Sequence, residues 1–453
     1  MFNKILIANR GEIAVRIVRA CRELGVRCVV GYSEADRDSL AVRLADESVC
    51  IGPAASSRSY LNIPSVISAA MITGCDALHP GYGFLSENTY LSEICERVGI
   101  TFIGPPISVI EPMSDKATAR QVMRDAGVPI IPGVEEPLSN VDRAARAARD
   151  VGYPVMLKAV AGGGGRGMRI VRTPQEMGTV FPTASSEAEV AFGDGRMYLE
   201  KYLLQPRHVE IQVIGDKHGR ILHLGERDCS LQRRHQKLVE ESPAPHLSAK
   251  TREAMAKAAL RGAKRVGFHN VGTFEFLLDS TNRDHFYFVE MNTRIQVEHP
   301  VTELVTGLDL IKWQIRLAAG DALTLDQRDI RFTGHAIECR ITAENADRDF
   351  TPSGGTVDVY LPPGGPGIRV DSHLYAGYSV PTQYDSLLAK FLAWGQTRDE
   401  AIDRMARALD ETVLTGIHST INFHRRVMQD PEFRAGNVHT SFFETRLQGP
   451  EAA

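Results

Sequence analysis

Apolar positions in this chain follow two rhythms, and each predicts a different kind of element. Lys4-Ile-Leu-Ile-Ala8 is a short apolar run of the length that forms a buried strand. From Gly11 to Leu24 the apolar residues Ile13, Val15, Ile17, Val18 and Cys21 recur with helical spacing, Gly25 stops them, and Val26 to Tyr32 reads as a second strand. Strand, helix, strand predicts a parallel βαβ unit. A boundary follows near Gly104-Pro-Pro106; Ser114 then caps a helix that runs to Ala126, with Lys116 in its first turn and Gly127 past its end. A Pro- and Gly-rich stretch from Gly127 to Pro137 leads to a helix at Val141–Val151. Strands follow at Pro154–Lys158 and Met168–Val171, joined by Ala161-Gly-Gly-Gly-Gly-Arg-Gly167. Tyr198–Val213 reads as more strand and Ala249–Val266 as a helix with periodic Ala and Met. A last domain starts near Arg331, with strands, a Pro/Gly-rich stretch from Thr351 to Gly367 and helices from Arg398 onward. The organisation is α/β in three parts: 1–113, 114–330 and 331–453.

One pair of predicted strands carries chemistry. Gly272-Thr-Phe-Glu-Phe-Leu-Leu-Asp279 and His285-Phe-Tyr-Phe-Val-Glu-Met-Asn292 read as a hairpin. If Ser280 pairs with His285 across a four-residue loop, Glu275 faces Glu290 with Cβ atoms about 5 Å apart, where like charges repel unless a cation lies between them. Asn292 shares that face, and an all-oxygen donor set suits Mg²⁺ shared with phosphates better than zinc. The competing reading is two glutamates on a solvated face. The crowd of polar groups that follows, Asn292-Thr-Arg-Ile-Gln-Val-Glu-His299, favours the metal.

Composition narrows the classes. The 453 residues are 43% hydrophobic, and 52 basic against 56 acidic side chains give a net charge of −4. This offers no bulk attraction to nucleic acid or an anionic membrane, so any anion is held locally. Only 11 of the 52 basic residues are lysines, which makes each lysine worth weighing. Seven scattered cysteines without a CxxC spacing suggest neither a disulfide framework nor a thiolate zinc site, and a reducing cytoplasm is expected. The N-terminal apolar run is too short for a signal sequence and no stretch reaches membrane-spanning length, so a soluble intracellular protein is expected.

Several segments stay open on residue chemistry alone. The first βα turn, Ala8-Asn-Arg-Gly-Glu12, lacks GxGxxG, so a scaffold unit is preferred to a dinucleotide site. The glycine run is followed by a strand rather than a helix. It reads as a hairpin flap whose N–H groups can cover phosphates, with Lys158 supplying a point charge, or as a plain flexible turn. Glu226-Arg-Asp-Cys-Ser-Leu-Gln-Arg-Arg-His-Gln-Lys237, flanked by Glu240 and Glu241, is as consistent with a solvated loop as with a site. Cys229 within it reads as a packing residue, and His208, on one strand face with Glu210 and Gln212, reads as structural.

Taken together, Lys116, Lys158, Glu200-Lys-Tyr-Leu203, Arg233-Arg-His-Gln-Lys237, the Glu275/Glu290 pair and Glu290-Met-Asn-Thr-Arg-Ile-Gln-Val-Glu-His299 resemble the biotin carboxylase family. The likeness extends from Asn9-Arg-Gly-Glu-Ile-Ala14 through His79-Pro-Gly-Tyr-Gly-Phe-Leu-Ser-Glu-Asn88 to Tyr375-Ala-Gly377, nearly the whole chain. It implies an ATP-grasp fold: an N-terminal Rossmann-like (pre-ATP-grasp) domain over 1–113, an ATP-grasp domain over 114–330 with a mobile lid at about 131–202, and a C-terminal biotin carboxylase domain over 331–453. The implied activity is ATP-dependent carboxylation of biotin with bicarbonate, through carboxyphosphate, with Mg²⁺ or Mn²⁺. It is the first half-reaction of acetyl-CoA carboxylase or a related acyl-CoA carboxylase, in fatty acid synthesis.

The resemblance also implies roles. Lys116, Lys158, Gly164 and Gly165 hold phosphates, Glu200, Lys201, Tyr202 and Leu203 line the adenine pocket, and His208 and His235 approach the nucleotide, which replaces the structural reading of His208. Glu275, Glu290 and Asn292 bind the metal. Lys237, Arg294, Gln296, Val297 and Glu298 surround bicarbonate, with Glu298 as the base paired to Arg294 and Lys237; Arg340, with Tyr82 nearby, addresses biotin and stabilises its enolate. Typical relatives carry Ser-Gly where this chain has Val160-Ala161, which stiffens the start of the loop and is expected to alter flap closure. No lysine follows a methionine, so the usual Met-Lys biotin attachment site is absent, and a separate biotin carboxyl carrier protein and carboxyltransferase subunits are expected, with the chain as a homodimer. Two other readings are weighed. Another ATP-grasp ligase would share the metal pair but not Arg340 with Gln-Val-Glu, and a catalytically silent nucleotide-binding subunit would not need every catalytic position filled.

Overall fold

The computed structural model describes residues 1–447 except 135, 139, 161–166, 281 and 283. The expected βαβ start is present as Lys4–Ile7, the helix Gly11–Glu23 and Arg27–Ser33. It seeds a five-stranded parallel sheet in the order Glu47–Gly52, Arg27–Ser33, Lys4–Ile7, Ala77–His79, Thr101–Phe102. Its central strands are short and mostly apolar because helices cover both faces, and Ile5, Leu6, Ile7, Val29 and Leu78 are fully buried.

After Ile107–Ser114, a helix the periodicity did not reveal, the chain enters Lys116–Asp125. Its cap is Asp115, not Ser114: the Thr118 N–H donates to Asp115 Oδ1 at 2.8 Å, because Ser114 is still the last residue of the preceding helix. The region 198–213, read as strand, holds two strands in different sheets. Met197–Lys201 joins Val155–Ala159 and Met168–Val171 in a small antiparallel sheet, covered by the helices Val141–Val151 and Met177–Phe192 around its own core of Leu138, Leu157, Phe181 and Leu199. Arg207–Gly215 belongs to the large sheet. Ala161 and the loop glycines Gly164 and Gly165 lie outside the described residues.

The frame of the molecule is an eight-stranded antiparallel sheet in the order Phe286–Asn292, Asn270–Leu278, Arg207–Gly215, Ile221–Arg233, Gln236–Ser242, His335–Thr342, Leu387–Gly395, Ile368–Ser372. Strands from both sides of residue 331 pair in it, since Val239 faces Cys339 and Glu240 faces Glu338. One side packs on Met255, Phe268, Phe274 and Phe276 below the helix Ala249–Arg265, and farther along on Ile402, Met405 and Leu409 of the helix Arg398–Glu411. Residues 226–233, open between surface loop and site, are a buried strand. Among the described residues, no helix is long and apolar enough to cross a membrane, and all seven cysteines are free.

Glu241 ties the last part to this sheet. It accepts from Arg398 Nε at 2.6 Å and lies 2.7 Å from His335 Nε2, while Arg398 also donates to the carbonyls of Phe433 and Arg434. Burial alone would raise the carboxyl; His335 and Arg398 instead hold it down at about 2. A depressed carboxyl stabilises the fold fully above its ordinary value near 4.5 and loses that contribution as pH falls toward 2. Glu241→Gln is therefore expected to destabilise the protein at pH 7 by about 3 kcal/mol at most and to flatten the pH dependence of denaturant midpoints between 4.5 and 2. Parallel wild-type and variant curves would contradict this.

Candidate active site

A cavity of about 1360 Å³ opens where the small sheet, the large sheet and the N-terminal unit meet. One end is an apolar slot between the two sheets, walled by Met156, Ile170, Leu203, Leu277 and Val289. Beside it the buried Glu200 carboxylate is held by both Arg120 and Lys158. The Lys201 ammonium is committed to the carbonyls of Gly152 and Tyr153, at 2.8 and 3.0 Å, so Lys201 offers the slot its stem and backbone rather than its charge. Tyr202 and His235 also line the cavity.

Across the large sheet, one face carries charge where a core would normally be apolar. Glu290, Glu275 and Glu210 lie opposite one another on three successive strands, and Arg227 faces Glu210 from a fourth. Arg227 is fully buried and uses all five donors, on Glu210, Gln212, Thr302, Thr273 and Gln296. Lys237 reaches into the centre of the row. Its Nζ lies 2.7 Å from Glu210, 2.9 Å from Glu275 and 2.6 Å from Glu298.

The facing of Glu275 and Glu290 is as the sequence predicts, but the register near the loop is not. Asp279 rather than Ser280 meets His285, its N–H donating at 3.0 Å, and a bulge between Glu275 and Phe276 shifts the pairing back so that Glu275 meets Glu290. Burial and the Glu275 charge raise the Glu290 carboxyl. Its neighbouring cation, Lys116, is exposed and 3.8 Å away. That repulsion, with the Asn292 amide 2.9 Å from Glu275, makes an oxygen donor set a hard divalent cation fits. Two other clusters have metal-like spacing, His208/Glu210/Glu275 and Glu210/Cys229/Glu298. In both the Lys237 ammonium already neutralises the carboxylates, and burial pushes the Cys229 thiol far up, which supports Cys229 as a packing residue.

Glu298, the first residue before the helix His299–Thr306, is buried with one oxygen on Lys237 and the other 2.9 Å from Arg340 Nη2. Burial would raise its carboxyl, yet Lys237, Arg340 and Arg227 hold it far below the usual carboxylate range. The expected pairing with Arg294 is corrected. Arg294 lies in the turn before Glu298 and folds back on the strand it leaves, donating to Asn292 at 2.7 Å and to Glu87 at 3.0 Å. Gln296 is held at both ends, by Arg227 and on Glu275. His208 Nε2 is 3.0 Å from Glu275; burial works against its charge, but Glu275 outweighs it and the imidazole is raised.

Arg340 is bound on its other side by Glu240, at 2.6 Å, in an arrangement that spacing alone did not reveal. Burial, despite Arg340, raises Glu240 to about 7. Tyr82 shares this end of the cavity and hydrogen-bonds Glu12. It stands on a turn that needs glycine: Gly81 has φ +63°, and a Cβ there would come 2.8 Å from the Asn9 amide that holds the Pro80 and Tyr82 carbonyls. Glu210, Arg227, Glu240, Glu87 and Arg120 are site residues the sequence reading missed. The signal for Glu210 was its place with His208 and Gln212 on one face of a strand whose other face is Val209, Ile211 and Val213.

Comparison with known proteins follows the same outline. Residues 1–110 match the model for the biotin carboxylase N-terminal domain, 115–326 that for the ATP binding domain of carbamoyl-phosphate synthase L chain, and 338–445 that for the biotin carboxylase C-terminal domain. The chain is 55% identical over 445 residues to biotin carboxylase 1 of Bacillus subtilis, covering 98% of this chain and 99% of that one. Among solved structures it matches the biotin carboxylase subunit of pyruvate carboxylase at TM-score 0.90 and 49% identity, covering 99% of this chain and 98% of that one. It also matches the biotin carboxylase domain dimer of Hydrogenobacter thermophilus 2-oxoglutarate carboxylase, in complex with MgADP, ADP and bicarbonate, at TM-score 0.88 and 48% identity, again covering 99% and 98%.

Lys237→Met leaves three buried carboxylates without their shared cation, so they take up protons to stay buried. The variant is expected to lose about 3–5 kcal/mol at pH 8 and distinctly less at pH 6, read from chemical denaturation at both values. A penalty equal at the two pH values would contradict the shared-charge geometry.

Proposed function

The chain belongs to the biotin carboxylase family of ATP-dependent ligases, and from that premise we propose that it carboxylates biotin borne on a separate carrier protein, as the first half-reaction of acetyl-CoA carboxylase or a related acyl-CoA carboxylase. The observation that carries the site assignment is Glu298, kept ionised between Lys237 and Arg340 at the end of the cavity away from the apolar slot. ATP places its adenine in the slot beside Tyr202, Leu203 and His235, with its phosphates toward Lys116, Lys158, His208 and the glycine loop. A magnesium ion on Glu275, Glu290 and Asn292 would disperse charge on the transferring phosphoryl group.

Bicarbonate sits by Lys237, Arg294, Gln296 and Val297. Glu298 removes its proton as its oxygen attacks the γ-phosphorus and ADP leaves, giving carboxyphosphate. Carboxyphosphate separates into CO₂ and phosphate; the phosphate takes the proton from biotin N1′, and that nitrogen attacks CO₂. Arg340 meets the negative oxygen of the ureido enolate, and Glu240 keeps the guanidinium aimed while its charge is shared with Glu298. The presence of Arg340 and the Gln296-Val297-Glu298 segment favours this over another ATP-grasp ligase, and a filled set of catalytic positions favours it over a silent nucleotide-binding partner. The proposal is completed by a homodimer working in the cytoplasm with carboxyltransferase subunits; the dimer is supported by the biotin carboxylase domain dimer of Hydrogenobacter thermophilus 2-oxoglutarate carboxylase, and a reducing compartment by seven free cysteines.

With ATP, Mg²⁺ and bicarbonate the protein is expected to release ADP slowly, and free biotin should stimulate the rate. Glu298→Gln should lower turnover by about 10²–10⁴-fold with the KM for ATP little changed. Absence of biotin stimulation would reject the substrate, and full turnover in the variant would reject the base.

A further inference from the structure

Lys390 has no part in the chemistry above, yet it is fully buried. It stands on the strand Leu387–Gly395, directly opposite Arg340 on one neighbouring strand and Asp371 on the other. Two cations side by side on a buried sheet face repel, so something must hold the second one there. Its ammonium makes two contacts off the sheet, to Glu12 Oε1 at 3.1 Å and to the Val297 carbonyl at 2.8 Å. The same Glu12 oxygen accepts the Tyr82 hydroxyl, while the other, Oε2, is buried without a partner.

These contacts join three parts of the chain at one charge. Glu12 comes from the helix Gly11–Glu23, Val297 from the turn before the helix His299–Thr306, and Lys390 from the C-terminal strands. In a planar trans peptide the N–H points opposite to the C=O. Drawing the Val297 carbonyl onto Lys390 therefore turns the Glu298 N–H the other way and sets the peptide that carries the base. A carboxylate acceptor at Glu12 likewise fixes how the Tyr82 ring stands beside Arg340.

We propose that Lys390 is a positioning residue for both substrates of carboxyl transfer: its ammonium sets the Val297–Glu298 peptide that meets bicarbonate and, through Glu12, the Tyr82 hydroxyl that meets biotin. The inference rests on the assignment of the bicarbonate and biotin pockets given above. It predicts that the two pockets respond together to loss of this charge, while the ATP slot does not.

Removing the lysine alone strands a buried carboxylate, so the test uses the double variant Glu12→Gln/Lys390→Met in the full chain, with Glu12→Gln beside it. ADP release is measured against bicarbonate, biotin and ATP in turn. The double variant is expected to raise the KM for bicarbonate and for biotin each roughly tenfold, with the KM for ATP within about twofold of wild type. Glu12→Gln keeps the Lys390 contact to Val297, and should raise only the constant for biotin. If the double variant fails to fold, this single-variant split decides. Native constants throughout, or an equal change in all three, would overturn the inference. Wild-type protein without biotin-stimulated ADP release would overturn the pocket assignment and this inference together, whereas a stimulated wild type with unmoved variants overturns the inference alone.

Discussion

One ammonium shared by three buried carboxylates is the constraint on which the site depends. Glu210, Glu275 and Glu298 all contact Lys237 within 2.9 Å. Buried anions at this density would protonate if left alone, and the protein would then lose both the proposed base and a proposed metal ligand. Lys237 keeps them charged, and Arg227 backs Glu210 with a guanidinium whose every donor is used. The cost of desolvating so many charges is offset only because the sheet holds them at hydrogen-bonding distance before any substrate arrives. Electrostatic preorganisation of this kind needs no rearrangement during the reaction.

The row continues across the sheet and gives the three parts of the chain a common site. Arg340 bridges Glu298 to Glu240, Lys390 faces Arg340 and reaches Glu12 and Val297, and Arg294 reaches Glu87. Acids and cations hold one another in place along the row, so removing one member exposes the next. Two carboxyls are displaced in opposite directions: Glu298, with two cations on it, is held low against its burial, while burial raises Glu240, which has a single guanidinium that it shares with Glu298. The first stays a carboxylate, as the proposed base must be.

Much of this was legible in sequence where local periodicity or a long motif carried it. The βαβ start, the helices at 141–151 and 249–265 and the facing of Glu275 with Glu290 were read from spacing, and the family from extended motifs. The Glu275/Glu290 pairing was nonetheless reached through a loop register one residue off, which a bulge compensates. Bulges leave no mark in an alternating pattern. Ion pairs between distant strands left none either. Arg340, Glu240 and Glu298 meet only because two strands and a helix end converge, and the pairing of Glu298 with Arg294 expected from the resemblance is not made. Lys390 stood in an apolar strand with nothing nearby in sequence to say what it faces, and residues 226–237 read evenly as a solvated loop or a site because the partners that neutralise them come from elsewhere.

We infer that Glu298, held ionised by Lys237 and Arg340, lets a bicarbonate oxygen attack the γ-phosphorus of ATP. Isotope transfer tests it most directly. With bicarbonate labelled with ¹⁸O under single-turnover conditions, the account predicts one labelled oxygen in each inorganic phosphate released, because the attacking oxygen stays on phosphorus when carboxyphosphate separates. Phosphate free of label, its new oxygen drawn from water, would contradict it.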